Sequence, residues 1–163
     1  VRVLGLDPST VATGWGVLDG DARRARAVEW GVIRPPARGP VPARLCEVQD
    51  GVAALLERFP IEVVVLESAF LHRNARTALA LGEVRGVVLV AARRAGIPLR
   101  EYSAAEIKRA AVGYGAADKE QVARMMERLL GVAGLASDAA DALAAAWCHL
   151  AREARPQAAG AVR

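Results

Sequence analysis

Four carboxylates carry the chemistry open to this sequence. Asp7 closes the run Val1-Arg2-Val3-Leu4-Gly5-Leu6 before Pro8-Ser9-Thr10 breaks it. Glu67 closes a second apolar, β-branched run from Ile61 to Leu66. Asp138 and Asp141 stand three apart near the start of an alanine-rich segment, a helical spacing that projects them as a pair. A carboxylate at the end of a buried strand is costly to desolvate unless an arginine, backbone N–H groups or a metal meets it. Hard oxygen donors of this kind suit Mg²⁺ or Mn²⁺ and not zinc. Two such ions about 3.5–4 Å apart stabilise the attacking and leaving oxygens of an in-line phosphoryl displacement.

Plainer roles stand beside this one. An acid in the first turn of a helix interacts favourably with its dipole, which suits Asp138. Glu67 suits pairing with an arginine. Asp7, following a buried run, has the fewest structural uses.

Cations are the second group. The chain has 22 Lys and Arg residues, of which only Lys108 and Lys119 are lysines, and a formal net charge of +4. A basic balance favours an anionic partner, nucleic acid first. Two lysines retained among arginines mark places for a compact ammonium rather than a planar fork. Lys119 falls at the first helical position after Asp118, where its charge opposes the helix dipole. Contact with a phosphate is one reason for it; solvation on the surface is the other. Phe70-Leu71-His72-Arg73-Asn74-Ala75-Arg76 sets an aromatic ring among cations just past Glu67. Such a ring stacks on a base while the arginines follow backbone phosphates, or it packs locally. His72 and His149 lack the company that metal ligation needs, and Cys148 beside Trp147 reads as packing.

The elements that position these groups follow from pattern. Val3 to Leu6 reads as a strand buried on both faces that ends near Asp7, because Pro8 has no N–H for a ladder. Thr13 to Leu18 and Ala27 to Ile33 read as the next two strands, with Asp19-Gly20-Asp21 as turn chemistry, so an antiparallel meander is expected. After the loop Arg34 to Pro40, Leu45, Val48, Val52, Leu55, Leu56 and Phe59 recur at helical spacing until Pro60. The strand Ile61 to Leu66 then returns parallel to the first, placing Asp7 and Glu67 on one sheet edge. Asn74 caps a helix from about Ala75 to Arg94, whose stretch Gly86 to Ala92 is apolar nearly all round and predicts cover by the sheet and by a second subunit. Pro98 to Tyr102 is a short strand. Ser103-x-x-Glu106 and Asp118-x-x-Gln121 are capping boxes on either side of the break Gly113-Tyr114-Gly115. Ser137 is expected to cap the last helix, which runs to about Glu153.

At 163 residues with 53% apolar composition, one globular domain is expected. No apolar run is long enough to span a bilayer. No basic n-region with a cleavage site precedes the first strand, so no signal peptide is expected. Cys46 and Cys148 form no Cys-x-x-Cys pair, which favours a reducing cytoplasm and argues against structural zinc.

Four blocks, in order, resemble the RuvC family of Holliday-junction resolvases. They are Leu4-Gly5-Leu6-Asp7-Pro8 with Thr13-Gly14-Trp15-Gly16-Val17; Leu66-Glu67-Ser68-Ala69-Phe70 with Asn74 to Gly86; Lys108 to Lys119 around Val112-Gly113-Tyr114-Gly115; and Asp138-Ala139-Ala140-Asp141-Ala142-Leu143-Ala144. The resemblance covers roughly residues 1 to 150. It implies an α/β, RNase H-like fold, a mixed five-stranded sheet flanked by helices on both faces. That domain would span residues 1–154, with a flexible tail at 155–163. It implies Asp7, Glu67, Asp138 and Asp141 as an acidic quartet for two Mg²⁺ or Mn²⁺ ions per subunit. Lys119 then joins the catalytic group, and Phe70, Lys108 and Lys119 are DNA-contacting positions. Arg73, Asn74, Arg76 and Tyr114 are expected from their residue types to contact DNA beside them. The activity implied is a cytoplasmic homodimeric endonuclease that nicks four-way DNA junctions symmetrically in recombination and repair. It would work with branch-migration proteins of the RuvA and RuvB type. A non-catalytic junction-binding scaffold and an RNase H-like nuclease on another substrate are the alternatives. One departure is Ser9, where the family usually has glycine after Asp-Pro; a positive φ there would strain serine.

Overall fold

The computed structural model describes residues 1–68 and 74–154. Five strands, β1 (Arg2–Pro8), β2 (Thr13–Asp19), β3 (Arg26–Ile33), β4 (Val63–Glu67) and β5 (Leu99–Tyr102), form one sheet in the order β3-β2-β1-β4-β5. β1, β2 and β3 make the expected antiparallel meander, and β4 and β5 join parallel to β1. Helices α1 (Val41–Arg58) and α2 (Ala75–Arg94) supply the two crossovers. Helices α3 (Ala104–Val112), α4 (Lys119–Leu130) and α5 (Ser137–Glu153) follow β5. The result is the mixed five-stranded sheet that the sequence predicted, with helices on both faces. Among the described residues, no helix is long and apolar enough to cross a membrane.

Strand alternation divides the core in two. Val3, Val63 and Val65 point to the face covered by α3, α4 and α5, where they meet Ile107, Val122, Met126 and Leu143. Leu4, Leu6, Val64 and Leu66 point to the other face and pack on Val48, Val52, Val84 and Val88 of α1 and α2. β1 and β4 are therefore buried on both sides, which is why their sequences read as continuous apolar runs.

α5 lies on the sheet with almost no spacer. A Cβ at Gly5 or Gly14 would fall inside the van der Waals envelope of the α5 backbone, at the carbonyls of Ala142 and Asp138 respectively. Glycine on the strands and alanine on the helix thus set the depth at which α5 docks. Ala139, Ala140, Ala142, Ala144, Ala145 and Ala146 are all buried.

Several boundaries differ from the sequence expectation. α1 begins at Val41, with a proline in its first turn, where the missing N–H costs nothing. β4 begins at Val63 rather than Ile61, and β5 at Leu99 rather than Pro98. Ser137 is not a cap. The cap position is Ala136, extended at φ −62° and ψ 144°, and Ser137 is already the first helical residue. Both capping boxes are present, and Gly113 ends α3 with φ 98°. On α2, Val84, Val88, Ala91 and Ala92 face inward. Leu79 and Val90 are exposed, and the space beyond Gly82 and Gly86 is open, so within one chain the sheet and α1 cover this helix on one side only.

Candidate active site

The parallel register of β1 and β4 pairs Leu6 with Leu66, so Asp7 and Glu67 follow at adjacent positions on one edge of the sheet. Both lie on the α5 face. Asp7 is paired across β2 with Gly14, the glycine against which the first turn of α5 rests. The docking of α5 thereby brings Asp138 and Asp141 toward Asp7. A cleft of about 240 Å³ opens here, lined by Asp7, Glu67, Lys108, Lys119 and Asp141, with Ala104, Ile107 and Val122 as its apolar wall. Asp138 is not part of the lining, although its charge acts on Asp7 and Lys119.

Electrostatics define the cleft. Burial pushes the Asp7 carboxyl up to about 7, with the charges of Asp141, Glu67 and Asp138 adding to the shift and Lys119 opposing it. Glu67 keeps a solvent-exposed flank, yet the surrounding protein desolvates its carboxyl, and that effect, ahead of the Asp141 charge, raises its pKa. Lys119 enters from the first turn of α4, set there by the Asp118–Gln121 capping box. Its Nζ lies 3.0 Å from Asp141 Oδ2. This hydrogen bond and charge raise the lysine pKa, so the ammonium is held protonated. Among the described residues, no three Asp, Glu, His or Cys side chains stand close enough together to hold an ion. The oxygen donors facing the cleft are carboxylates, whose negative charge Lys119 and Lys108 offset in part.

The expected DNA contacts are distributed unevenly. Lys108 lines the cleft from α3. Asn74 is the N-cap of α2, its side chain accepting from Thr77 N at 3.1 Å. Arg76 is exposed on the first turn of that helix. Tyr114 is exposed between α3 and α4. Phe70 and Arg73, with His72, lie outside the described residues.

Ser9 needs no glycine-like backbone, since among the described residues no residue other than glycine has positive φ. Its N–H donates to Ala12 O at 2.9 Å, its hydroxyl donates to the same oxygen at 2.6 Å, and Oγ accepts from Ala12 N at 3.1 Å. The side chain closes the turn after Asp7 instead of straining it. Beside this turn, the Arg44 guanidinium of α1 donates to Thr10 O.

Some residues at the sheet edge had no sequence signal. Arg85 of α2 donates to Glu67 O at 2.7 Å. The Tyr102 hydroxyl is hydrogen-bonded to His149 Nδ1 at 2.7 Å. Arg152 pairs with Glu106, which also caps Ser103. Cys148 is buried with its pKa raised to about 11, an inert packing thiol as expected.

A family model described as crossover junction endodeoxyribonuclease RuvC matches residues 3–149. The RuvC of Magnetococcus marinus is 42% identical over 151 residues, covering 92% of this chain and 84% of that protein. The RuvC of Halorhodospira halophila is 46% identical over 156 residues, covering 95% and 93%. Among solved structures, T. thermophilus RuvC in complex with a Holliday junction substrate matches with a TM-score of 0.87 at 35% identity, covering 93% and 94% of the two chains. The yeast mitochondrial Holliday junction resolvase Ydc2 matches with a TM-score of 0.64 at 12% identity, covering 94% and 83%, and shares the fold. That fold is RNase H-like, with its acids at the edge where β1 and β4 end. On the family model, the relatives and the solved RuvC structure together, the chain belongs to the RuvC family of crossover junction endodeoxyribonucleases.

Proposed function

We propose that this chain resolves four-way DNA junctions by hydrolysing one phosphodiester in each of two strands of like polarity, leaving 5′-phosphate and 3′-hydroxyl ends. The observation that carries this reading is the adjacency of Asp7 and Glu67 on parallel strands, in one cleft with Asp141, Lys108 and Lys119. The T. thermophilus relative solved with a Holliday junction supports branched DNA as the substrate.

The donor chemistry of these residues suits Mg²⁺ or Mn²⁺, and two ions per subunit are proposed. The donors are hard oxygens, and desolvation of Asp7 beside the charges of Asp141, Glu67 and Asp138 leaves its carboxylate in need of a cation. Asp7, Glu67, Asp138 and Asp141 would hold the ions through their carboxylate oxygens. Bound there, the ions supply a water of lowered pKa and charge neutralisation at the leaving 3′ oxygen. The chain itself does the positioning. Asp7 is carried on the central strand, whose backbone is held by pairing on both sides. Lys119, with its side chain 70% exposed, reaches a non-bridging phosphate oxygen and opposes the charge that develops there. Lys108, Arg76 and Tyr114 extend the contact along the strand, as do Phe70 and Arg73.

Paired nicks need two sites related by a twofold axis, which a homodimer supplies. The exposed α2 face of Leu79, Gly82, Gly86 and Val90 is the surface proposed for it. Cooperation with RuvA- and RuvB-type proteins in the cytoplasm completes the reading.

The test is a labelled four-way junction incubated with Mg²⁺ or Mn²⁺. Wild type is expected to give symmetric nicks, while Asp7→Asn binds the junction and leaves it intact. Cleavage retained by Asp7→Asn would overturn the assignment. Binding without metal-dependent nicking would leave a scaffold, and preferential cutting of an RNA–DNA hybrid would change the substrate.

A further inference from the structure

The peptide group that joins Glu67 to Ser68 is held at both ends. Ser68 N donates to Tyr102 O of β5 at 2.8 Å. Glu67 O accepts from Arg85 Nη1 at 2.7 Å. A trans peptide sends its N–H and C=O in opposite directions, so with the N–H bound to β5 the carbonyl points toward β1. There the next residue of β1 after Asp7 is Pro8, which has no N–H to give. The ladder between β1 and β4 stops at Leu6 and Leu66. Arg85 supplies the donor that the strand lacks.

This arginine is itself fixed. It comes from the middle of α2, on the face of the sheet away from the cleft, and its side chain is only 13% exposed. Its second amino group, Nη2, lies 2.6 Å from Glu101 Oε1, an ion pair whose N–H is not aligned as a hydrogen bond. Glu101 sits on β5 opposite Leu66. One guanidinium therefore bridges α2, the last residue of β4, and β5. The planar fork spans two acceptors in fixed geometry, which an ammonium does not.

We infer that Arg85, braced by Glu101, is a positioning residue for Glu67: it fixes the peptide from which that carboxylate projects and ties α2 to the cleft. The inference rests on the reading of Glu67 as a metal ligand. Groups that orient a ligand without touching the ion typically change metal affinity or activity by about 10- to 100-fold when removed.

The experiment compares Arg85→Met, Arg85→Lys, Glu101→Gln, Glu67→Gln and the double variant Arg85→Met/Glu67→Gln. Three quantities are read: Mn²⁺ binding to the protein by calorimetry, junction affinity in chelator, and single-turnover cleavage. Arg85→Met is expected to weaken Mn²⁺ binding and slow cleavage, each by about 10- to 100-fold, with junction affinity kept. Arg85→Lys recovers part of both losses. Glu101→Gln, which leaves the guanidinium in place, shows a smaller loss in the same direction. In the Glu67→Gln background, Arg85→Met causes no further loss of Mn²⁺ binding, because its effect passes through Glu67. Unchanged Mn²⁺ binding in Arg85→Met, or an equal loss with and without Glu67, would overturn the inference. If Glu67→Gln alone binds Mn²⁺ and cleaves as wild type does, the reading of Glu67 fails and takes the inference with it.

Discussion

Lys119 Nζ stands 3.0 Å from Asp141 Oδ2, so the compact ammonium expected from an arginine-rich sequence lies inside the acidic cleft. Its charge opposes the α4 dipole and is compensated by the carboxylates instead. Lys119→Ala is expected to slow single-turnover cleavage by about 10²–10³-fold, the usual effect of removing one preorganised electrostatic contact. Junction affinity should change little. The lysine side chain is 70% exposed and solvent screens the pair, so its loss costs the fold under about 1 kcal/mol. A collapse of binding with normal cleavage of bound junction would make the residue a docking contact only.

Asp7 links pH to stability. Its folded pKa, about 7, is raised above the ordinary 3.8, so between those values the folded state holds a proton that the unfolded state has lost. Stability of the metal-free protein from this group therefore falls as pH rises from about 4 to about 7. Asp7→Asn should remove that slope and melt higher than wild type at pH 8 without metal. Adding Mn²⁺ should raise the wild-type Tm, more at pH 8 than at pH 6, because the ligand must be deprotonated. Asp7→Asn should show little of this rise. Thermal melts at the two pH values, with metal and with chelator, check both statements.

Depth of packing sets the acids in place. At Gly5 an added methyl would meet the Ala142 carbonyl, which cannot move unless α5 moves with it. Gly5→Ala is expected to destabilise by about 1–3 kcal/mol, as overpacking does. It should also depress cleavage beyond the unfolded fraction, since Asp138 and Asp141 travel with the helix. Gly82→Ala meets nothing within 4 Å. It should stabilise the isolated chain by up to about 1 kcal/mol through helix propensity. Melting curves beside cleavage rates separate the two variants.

His149 gives a pH dependence of opposite sign. Burial lowers its pKa; Glu153 acts against this and Arg100 with it, and Tyr102 occupies Nδ1. Arg152 and Glu106 complete the charged surroundings by pairing with each other. The unfolded state then binds the extra proton first, so stability is present above about pH 6.5 and is lost as pH falls below it. His149→Gln should flatten this part of the profile, measured as Tm between pH 5 and pH 7 in an Asp7→Asn background that removes the other slope.

Local patterns determined much of this protein. The strands around Asp7 and Glu67, the amphipathic α1, and the capping boxes at Ser103 and Asp118 are set by neighbours within a few residues. The four carboxylates stood out because acids terminate two apolar runs and recur three apart on a helix. Tertiary structure decided what depends on partners distant in the chain. Nothing in spacing distinguishes Arg85 from the other arginines; the parallel register of β1 and β4, with Pro8 lacking a donor, makes it the partner of Glu67. Nothing local makes His149 the partner of Tyr102, 47 residues away. Ser9 could be judged only once its turn to Ala12 was closed. Hydrophobic periodicity and capping are short-range, and so they survive in a linear string. A carbonyl's unmet hydrogen bond exists only after strands pair, and the side chain that answers it is chosen by which helix packs across the sheet.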